Sequence, residues 1–282
     1  MSQRFSPCRT VTQRGQREQQ HACGGGPPSR VTTSGSSLGR VVRLYPDGLR
    51  LEEVERPTPR EGEVLVKVHA AAITRGELEW PAGRLPAVPS HELSGVVMDT
   101  GEEVFALTPF DRDGVAADYV SVSSAILAPK PHSLTHVEAA ALPMGGLSAW
   151  QALFVHGHLQ RGERVLITGA SGAVGHVAVQ LARHAGATVI ENGPADLVFD
   201  TVGGALPEAR RIVTIAAETP GAMYVVVKPE RDQLAELGRL ADAGELLPAI
   251  DSTFPLERAR DAFERVAARG KHGKVVLDVA GG

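Results

Sequence analysis

The stretch from Arg164 to Ala182 constrains the fold of this chain more than any other. Arg164-Val165-Leu166-Ile167 is a β-branched and aliphatic run of the kind a buried parallel strand presents. Gly169, Gly172 and Gly175 follow in the spacing G-x-x-G-x-x-G. Val174, Val177, Ala178, Leu181 and Ala182 then repeat at the interval of a core-facing helix. In a strand–turn–helix context, glycines let backbone N–H groups approach a diphosphate, and the helix N-terminus adds favourable partial charge. The spacing departs from G-x-G-x-x-G, so two uses stay open. One is a cradle in which Ser171, Gly172, Ala173, Val174 and Gly175 surround a cofactor diphosphate; the other is a tight turn that holds no ligand.

At 282 residues the chain has room for about two domains. Its formal charge of −4 argues for neither nucleic acid nor an anionic membrane as partner. No apolar run approaches the roughly 20 residues of a membrane-spanning helix. Both cysteines, Cys8 and Cys23, fall near the start, so the body of the chain offers no thiolate for a disulfide or a zinc site. With no secretory signal, the expected location is the cytoplasm.

Residues 1–39 read as a disordered tail, rich in arginine and poor in acids, with Gly24-Gly25-Gly26-Pro27-Pro28 inside it. An acid-poor, arginine-bearing start also fits a transit peptide, although no amphipathic period accompanies it. Order is expected from Arg40. Val41–Leu44 and Leu49–Val54 flank the turn signal Pro46-Asp47-Gly48. Short strands are expected again at 63–70, 92–98, 103–107 and 117–122, which suggests a small β-rich barrel over 40–130. Ala128–Pro131 reads as a linker. A helix from about His136 to Ala141 is capped by Ser133 or Thr135, and Pro143 with Gly145-Gly146 breaks the chain before a second helix over 147–156. Further on, strands are expected at 197–200, 211–215, 223–227 and 275–279. A helix over 232–243 turns Leu234, Leu237 and Leu240 inward, and Phe254-Pro255 opens the last helix.

Several motifs together carry a family resemblance. They are Pro89-Ser90-His91-Glu92-Leu93-Ser94-Gly95, the run from Ala140 to Leu153, the glycine stretch, the run from Asp196 to Gly204, and the ending from Gly270 to Leu277. Over residues 41–279 the chain resembles the medium-chain dehydrogenase/reductase superfamily, most nearly its zinc-independent quinone oxidoreductase branch. The resemblance implies an α/β fold in which a GroES-like β-barrel precedes a Rossmann-type parallel-sheet domain, here truncated. The implied domains are 40–130 (catalytic), 131–252 (dinucleotide-binding) and 253–282 (a return to the barrel). It also implies NADP(H)-dependent hydride transfer to a quinone or an α,β-unsaturated carbonyl compound, and valine-rich strands near Met223 that could build a homodimer sheet.

On the same resemblance, Thr74 stands where the branch often has an asparagine beside the nicotinamide. Ser148 matches its hydroxyl residue there; each has a local backbone role as its alternative. Thr201, Val202 and Gly203 end a strand and so fall where ligands bind in open α/β sheets. Lys274 either reaches the cofactor or faces solvent. Tyr119 is a possible proton donor or a packed strand residue, and Trp150 is expected in the core. Zinc-dependent relatives use a cysteine early in the barrel and the histidine of a G-H-E motif. This chain has His91-Glu92 but Thr74-Arg75-Gly76-Glu77 where the cysteine would stand, short of the three protein ligands a catalytic zinc needs, so no metal is expected.

The chain departs from the family between Ala187-Thr188-Val189-Ile190 and Asp196-Leu197-Val198-Phe199-Asp200, where only Glu191-Asn192-Gly193-Pro194-Ala195 remains of a longer β–α–β stretch. If both flanking segments are parallel strands on either side of the first, the link must cover about 16 Å, and five extended residues reach about 17 Å. Asn192-Gly193 is also a hairpin signal, which would make the second segment antiparallel. The missing stretch should carry the basic residue that grips the 2′-phosphate of NADP. Glu191, 22 residues after Gly169, stands where an acid binds the ribose 2′-hydroxyl of NAD(H), unless it is a solvated loop acid. The competing readings are a zinc-free oxidoreductase acting on a small molecule, a degenerate non-catalytic relative that serves as a binding or scaffold protein, and a zinc alcohol dehydrogenase.

Overall fold

A computed structural model describes residues 37–80 and 84–281; the expected tail, up to residue 36, and both cysteines lie outside them. Strands β1 (Leu38–Tyr45) and β2 (Gly48–Glu55) form a hairpin closed by Pro46 and Asp47. Strands β3 (Glu63–Ile73), β4 (Glu92–Val97), β5 (Glu103–Leu107), β6 (Tyr119–Ser123) and β7 (Ala128–Pro129) follow. The expected linker thus supplies a strand, because Ala128 and Pro129 pair with β5. Among these strands β3 is the long one: its first half pairs with β6 and its second half with the chain's last strand.

Helix α1 (His136–Ala140) starts at Thr135, whose hydroxyl accepts from Glu138 N while the Glu138 carboxylate accepts from Thr135 N. This capping box settles the choice between Ser133 and Thr135. Helix α2 (Pro143–Trp150) corrects the expected break. Pro143 opens the helix, where its missing N–H costs nothing, and Gly145 and Gly146 lie inside it. A Cβ on Gly145 would stand 3.2 Å from Ala173 O, and one on Gly146 would stand 2.7 Å from a Leu237 methyl. Close packing of neighbouring helices has overridden the local preference of glycine for turns. A π-helical turn, Gln151–His156, continues α2.

The second sheet contains β8 (Arg164–Ile167), β9 (Thr188–Ile190), β10 (Ala195–Asp200), β11 (Ala209–Thr214) and β12 (Met223–Tyr224), with α3 (Ala173–His184) between β8 and β9. Its order is β12-β11-β10-β8-β9 and every pairing is parallel. The hairpin alternative at Asn192-Gly193 is therefore excluded. Leu166 pairs with Ile190 and Val165 with Leu197, so the link must return three residues along β8 and cross two strand spacings. That is about 14 Å, against a reach of about 17 Å for five Cα–Cα steps. Residues 191–194 make this crossing with no helix, and all four are exposed.

Helix α4 (Arg231–Asp242) buries Leu234, Leu237 and Leu240 as the periodicity predicts. Phe254 and Pro255 do not open the last helix; they end strand β13 (Ile250–Pro255), and α5 (Ala259–Ala267) begins after a 3-10 turn. Strand β14 (Lys274–Asp278) pairs with β13 and β3, which brings the chain end back into the barrel sheet β13-β14-β3-β4-β5-β7. The valine-rich segment pairs only through Met223 and Tyr224, on the sheet's edge, although Val225 N still donates to Thr214 O. Among the described residues no helix is long and apolar enough to cross a membrane.

The link after β9 is close to taut, which gives it an asymmetric sensitivity. Deleting Asn192 should unpair β9 and cost about 1–3 kcal/mol. Inserting Gly-Ser at the same point should change stability by less than about 0.5 kcal/mol. Urea unfolding of the two variants checks both outcomes.

Candidate active site

The glycine turn at the end of β8 forms one wall. Gly169 adopts φ +66, and a Cβ there would stand 2.5 Å from Thr201 Oγ1. A Cβ on Gly175 would stand 2.2 Å from the Gly169 carbonyl oxygen, so this glycine allows α3 to close onto the strand end. His176 N donates to Gly172 O at 2.9 Å. That is the first helical bond, and the amides of Ala173, Val174 and Gly175 stand ahead of the ladder, where an anion can use them. A backbone bridge joins Gly172 to Gly273, so the turn is fixed to the segment that leads into β14.

Asp200 holds the neighbouring strand ends together. Its carboxylate accepts from Thr168 Oγ1 at 2.6 Å, Thr214 Oγ1 at 2.7 Å, and the amides of Val202 and Gly203. Burial works against its charge, but these donors outweigh burial and keep the carboxyl below its ordinary range.

Between this wall and the barrel lies a cleft of about 890 Å³. Of the site residues expected from the sequence, Thr74, Ser148, Ser171, Gly172, Ala173, Val174, Thr201, Val202 and Lys274 line it. Gly175, Glu191 and Gly203 do not. Gly175 is buried behind the turn, the Gly203 amide is turned onto Asp200, and Glu191 is exposed in the crossing after β9. Tyr119 is outside the cleft; the Arg56 guanidinium stacks 4.1 Å over its ring. Trp150 is half-buried against Phe154.

The barrel side of the cleft has a polar floor. Lys274, 4% exposed, forms an ion pair with Glu92, which is fully buried, and donates to Thr74 Oγ1 at 2.8 Å. Thr74 Oγ1 donates to Glu92 Oε1 at 3.3 Å, and Met144 N donates to Glu92 Oε2 at 2.8 Å. Lys274 therefore neither faces solvent nor stands free in the cleft. The proton of Thr74 is committed to Glu92, so its hydroxyl offers a ligand only a lone pair. Burial pushes the Glu92 carboxyl up, opposed by Lys274. Beside it, Glu77 accepts from Thr74 N at 2.9 Å and Ser90 N at 3.0 Å, and burial pushes its carboxyl up to about 8. Ser148 differs from all of these: it lines the cleft, and among the described residues its hydroxyl has no hydrogen-bond partner.

The sequence reading missed the cleft's apolar residues and its other cations. Trp80, Phe110, Met144, Ile73 and Val225–Val227 supply the apolar surface, with Trp80 and Phe110 in edge contact at 5.2 Å. Arg75 and Lys271 line the mouth. Arg75 donates to the carbonyls of Ala267 and Ala268 and Lys271 to that of Gly273, and neither forms an ion pair among the described residues. Burial, with Lys274 nearby, lowers the Lys271 pKa. Adjacency to Thr74 and Lys274 was the available signal for both.

Residues 60–132 match the alcohol dehydrogenase GroES-like domain family and residues 174–277 the zinc-binding dehydrogenase family. The chain is 29% identical to a probable zinc-binding mitochondrial oxidoreductase of Arthroderma benhamiae, over 88% of this chain and 98% of that protein. That alignment runs to 326 positions, so the relative carries internal segments that this chain lacks. A chloroplastic NADPH-dependent alkenal/one oxidoreductase of Arabidopsis thaliana is 28% identical over 82% of this chain and 76% of its own length. The solved quinone oxidoreductase of Coxiella burnetii superposes with a TM-score of 0.77 at 25% identity, covering 86% of this chain and 99% of that one. The chain belongs to the medium-chain dehydrogenase/reductase superfamily and is an oxidoreductase of that type.

Two stability measurements follow from the polar floor. Lys274→Met leaves the Glu92 carboxylate buried and unpaired, and should cost about 3–5 kcal/mol. Glu92→Leu combined with Lys274→Met should recover much of that loss in urea unfolding. Glu77 keeps its proton in the folded chain up to about pH 8 and releases it near its ordinary value once unfolded. Its contribution is therefore full in acid and falls as pH rises towards 8, by about 1.4 kcal/mol per pH unit. Urea unfolding at pH 5.5 and 7.5 should show that decline in the native protein and a shallower one in Glu77→Gln.

Proposed function

We propose that this protein is a zinc-independent, NAD(P)H-dependent oxidoreductase that transfers hydride to a quinone or an α,β-unsaturated carbonyl compound. The observation that carries the reading is the glycine turn, which opens onto the cleft with the amides of Ala173 and Val174 ahead of the helical ladder. The residues fit a dinucleotide. Positive φ at Gly169 and the absence of a side chain at Gly172 leave room for a diphosphate, and Arg75 and Lys271 supply positive charge at the same mouth. The names of the alkenal/one and quinone oxidoreductase relatives support the substrate class.

The residues do not fit a catalytic zinc. His91 Nδ1 is engaged with Thr108 Oγ1 at 3.1 Å, Glu92 is engaged by Lys274, Thr74 and the Met144 amide, and Thr74 is a weak ligand where a thiolate would stand. Among the described residues no His/Cys/Asp/Glu cluster has the geometry to hold a metal ion. Burial pushes the His91 pKa down to about 4, so its ring is neutral and packs against Trp80 and Phe110.

The reduced nicotinamide supplies the hydride when bound. The chain's own residues orient, polarise and exclude water. Ser148, whose hydroxyl is unengaged, is the donor for a developing oxyanion. Trp80, Phe110 and Met144 make the apolar wall against which a conjugated substrate packs. The rigid Glu92–Lys274–Thr74 floor keeps barrel and glycine turn in register, which is the positioning such a reaction requires.

Titration with NADH and NADPH, followed by protein fluorescence, tests the cofactor, and a panel of quinones and enones tests the substrate. Saturation below millimolar concentration is expected. No saturation with either cofactor would leave the alternative, a binding or scaffold protein, which the shortened sheet favours. Ser148→Ala should lower kcat about tenfold to a hundredfold with cofactor affinity nearly unchanged. Arg75→Gln with Lys271→Gln should instead weaken cofactor binding by about tenfold or more.

A further inference from the structure

Resting on the nicotinamide reading, we infer that this chain recognises only the nicotinamide ribose and diphosphate part of its cofactor, and is indifferent to the nucleobase and to the 2′-substituent of the other ribose. The cleft has a definite direction. From the glycine turn after β8 it runs towards the ends of β11 and β12, through Thr201, Ile215, Ala216 and Tyr224–Val227, and across to the barrel. A nicotinamide that meets Ser148 and the polar floor occupies that arm. The remaining nucleoside must leave the turn on the opposite side, over β9.

Among the described residues, that side contributes nothing to the cleft's lining. β9 is the last strand of the sheet. The residues that follow it are Glu191, Asn192, Gly193 and Pro194, all exposed, and they return directly to β10. No residue of β9 or of this crossing lines the cleft. A nucleobase is a flat, largely apolar ring, and selective binding needs apolar contact on its faces or paired hydrogen bonds at its edge. The crossing offers no aromatic side chain, and its one apolar group is the small ring of Pro194.

The 2′-substituent meets the same deficiency. No lysine or arginine occurs from Thr188 to Ala195 to pair with a phosphate. Among the described residues Glu191 has no hydrogen-bond or ion-pair partner, and a carboxylate in open solvent is strongly screened. Discrimination is a difference between two affinities, and without contacts the difference vanishes. The groups that can attract a diphosphate, the turn amides with Arg75 and Lys271, line the cleft instead.

The test is a set of dissociation constants for the whole chain, read by calorimetry so that no turnover is needed. The ligands are NADH, NADPH and the reduced nicotinamide dinucleotides of hypoxanthine, guanine and cytosine, all of which keep the diphosphate. All five constants should agree within about threefold. A tenfold or larger preference for adenine over cytosine, or between NADH and NADPH, overturns the inference while leaving the nicotinamide reading intact. Failure of all five to bind at millimolar concentration overturns that reading, and this inference with it.

Discussion

The Glu92 carboxylate is the point at which the two halves of the molecule are tied. It sits on β4 of the barrel, and its partners come from three other places: Thr74 beyond the end of β3, Lys274 at the start of β14, and the Met144 amide in the first turn of α2. The α2 amide is one of the orphan donors that every helix leaves at its N-terminus. The buried Glu92 carboxyl satisfies it; burial pushes that carboxyl up and the Lys274 ammonium opposes the shift. Lys274 follows Gly273, which is bridged to Gly172 in the glycine turn. One buried charge thus fixes the relation between the barrel, the helix bearing Ser148 and the proposed diphosphate cradle. A buried ion pair adds little net stability over apolar residues of equal volume, but losing one partner is costly. Its effect here is to make a misplaced cleft wall expensive.

The five-stranded sheet shows how the chain tolerates its shortening. Parallel sheets ordinarily carry helices on both faces and read as continuous apolar runs. Here Val165, Ile167, Leu197, Phe199 and Val213 join the large core with α2, α3 and α4. The residues between them face the other way. Leu166, Ala195 and Val198, flanked by Ile190, Ala209 and Ile212, form a small separate cluster that contains no helical residue. Polar side chains border it at both ends. Arg210 pairs with Asp196 at one end, and Thr168, Asp200 and Thr214 are hydrogen-bonded at the other. The sequence of β10, Ala-Asp-Leu-Val-Phe-Asp, keeps Leu197, Val198 and Phe199 as one apolar run, and all three are fully buried, as in the interior of a parallel sheet.

What could be read in advance follows from how local each signal is. The hairpin at Pro46-Asp47, the cap at Thr135 and the period of α4 depend on neighbouring residues, and all three are legible in the chain. The glycine turn was legible for the same reason. Gly145 and Gly146 were misread because their role is set by Ala173 and Leu237, distant residues that no local pattern announces. Strand β13 was missed because Phe254 and Pro255 gain strand character only by pairing with β14. Most of the expected site residues fall in the cleft; Gly175 and Gly203 do not, because one packs behind the turn and the other turns its amide onto Asp200. Glu191 does not either, since counting from Gly169 presumes a wall that the crossing after β9 no longer builds. Arg75, Trp80, Phe110 and Lys271 converge from barrel loops and the final segment, which only tertiary structure brings together.

The two polar groups beside the cleft that resemble catalytic groups are the ones already committed. Thr74 gives its proton to Glu92 and receives one from Lys274, and Glu77 is saturated by two backbone amides. Groups held this tightly serve as a rigid polar background, since any reorientation would leave a buried polar group without a partner. A group that must bind a substrate oxygen needs the opposite property, a donor with no partner inside the protein. Ser148 has it, and it sits on a helix whose first turn is anchored by Glu92. The division explains why the floor can be polar and buried yet inert, while a single hydroxyl one helical turn away remains available to the ligand.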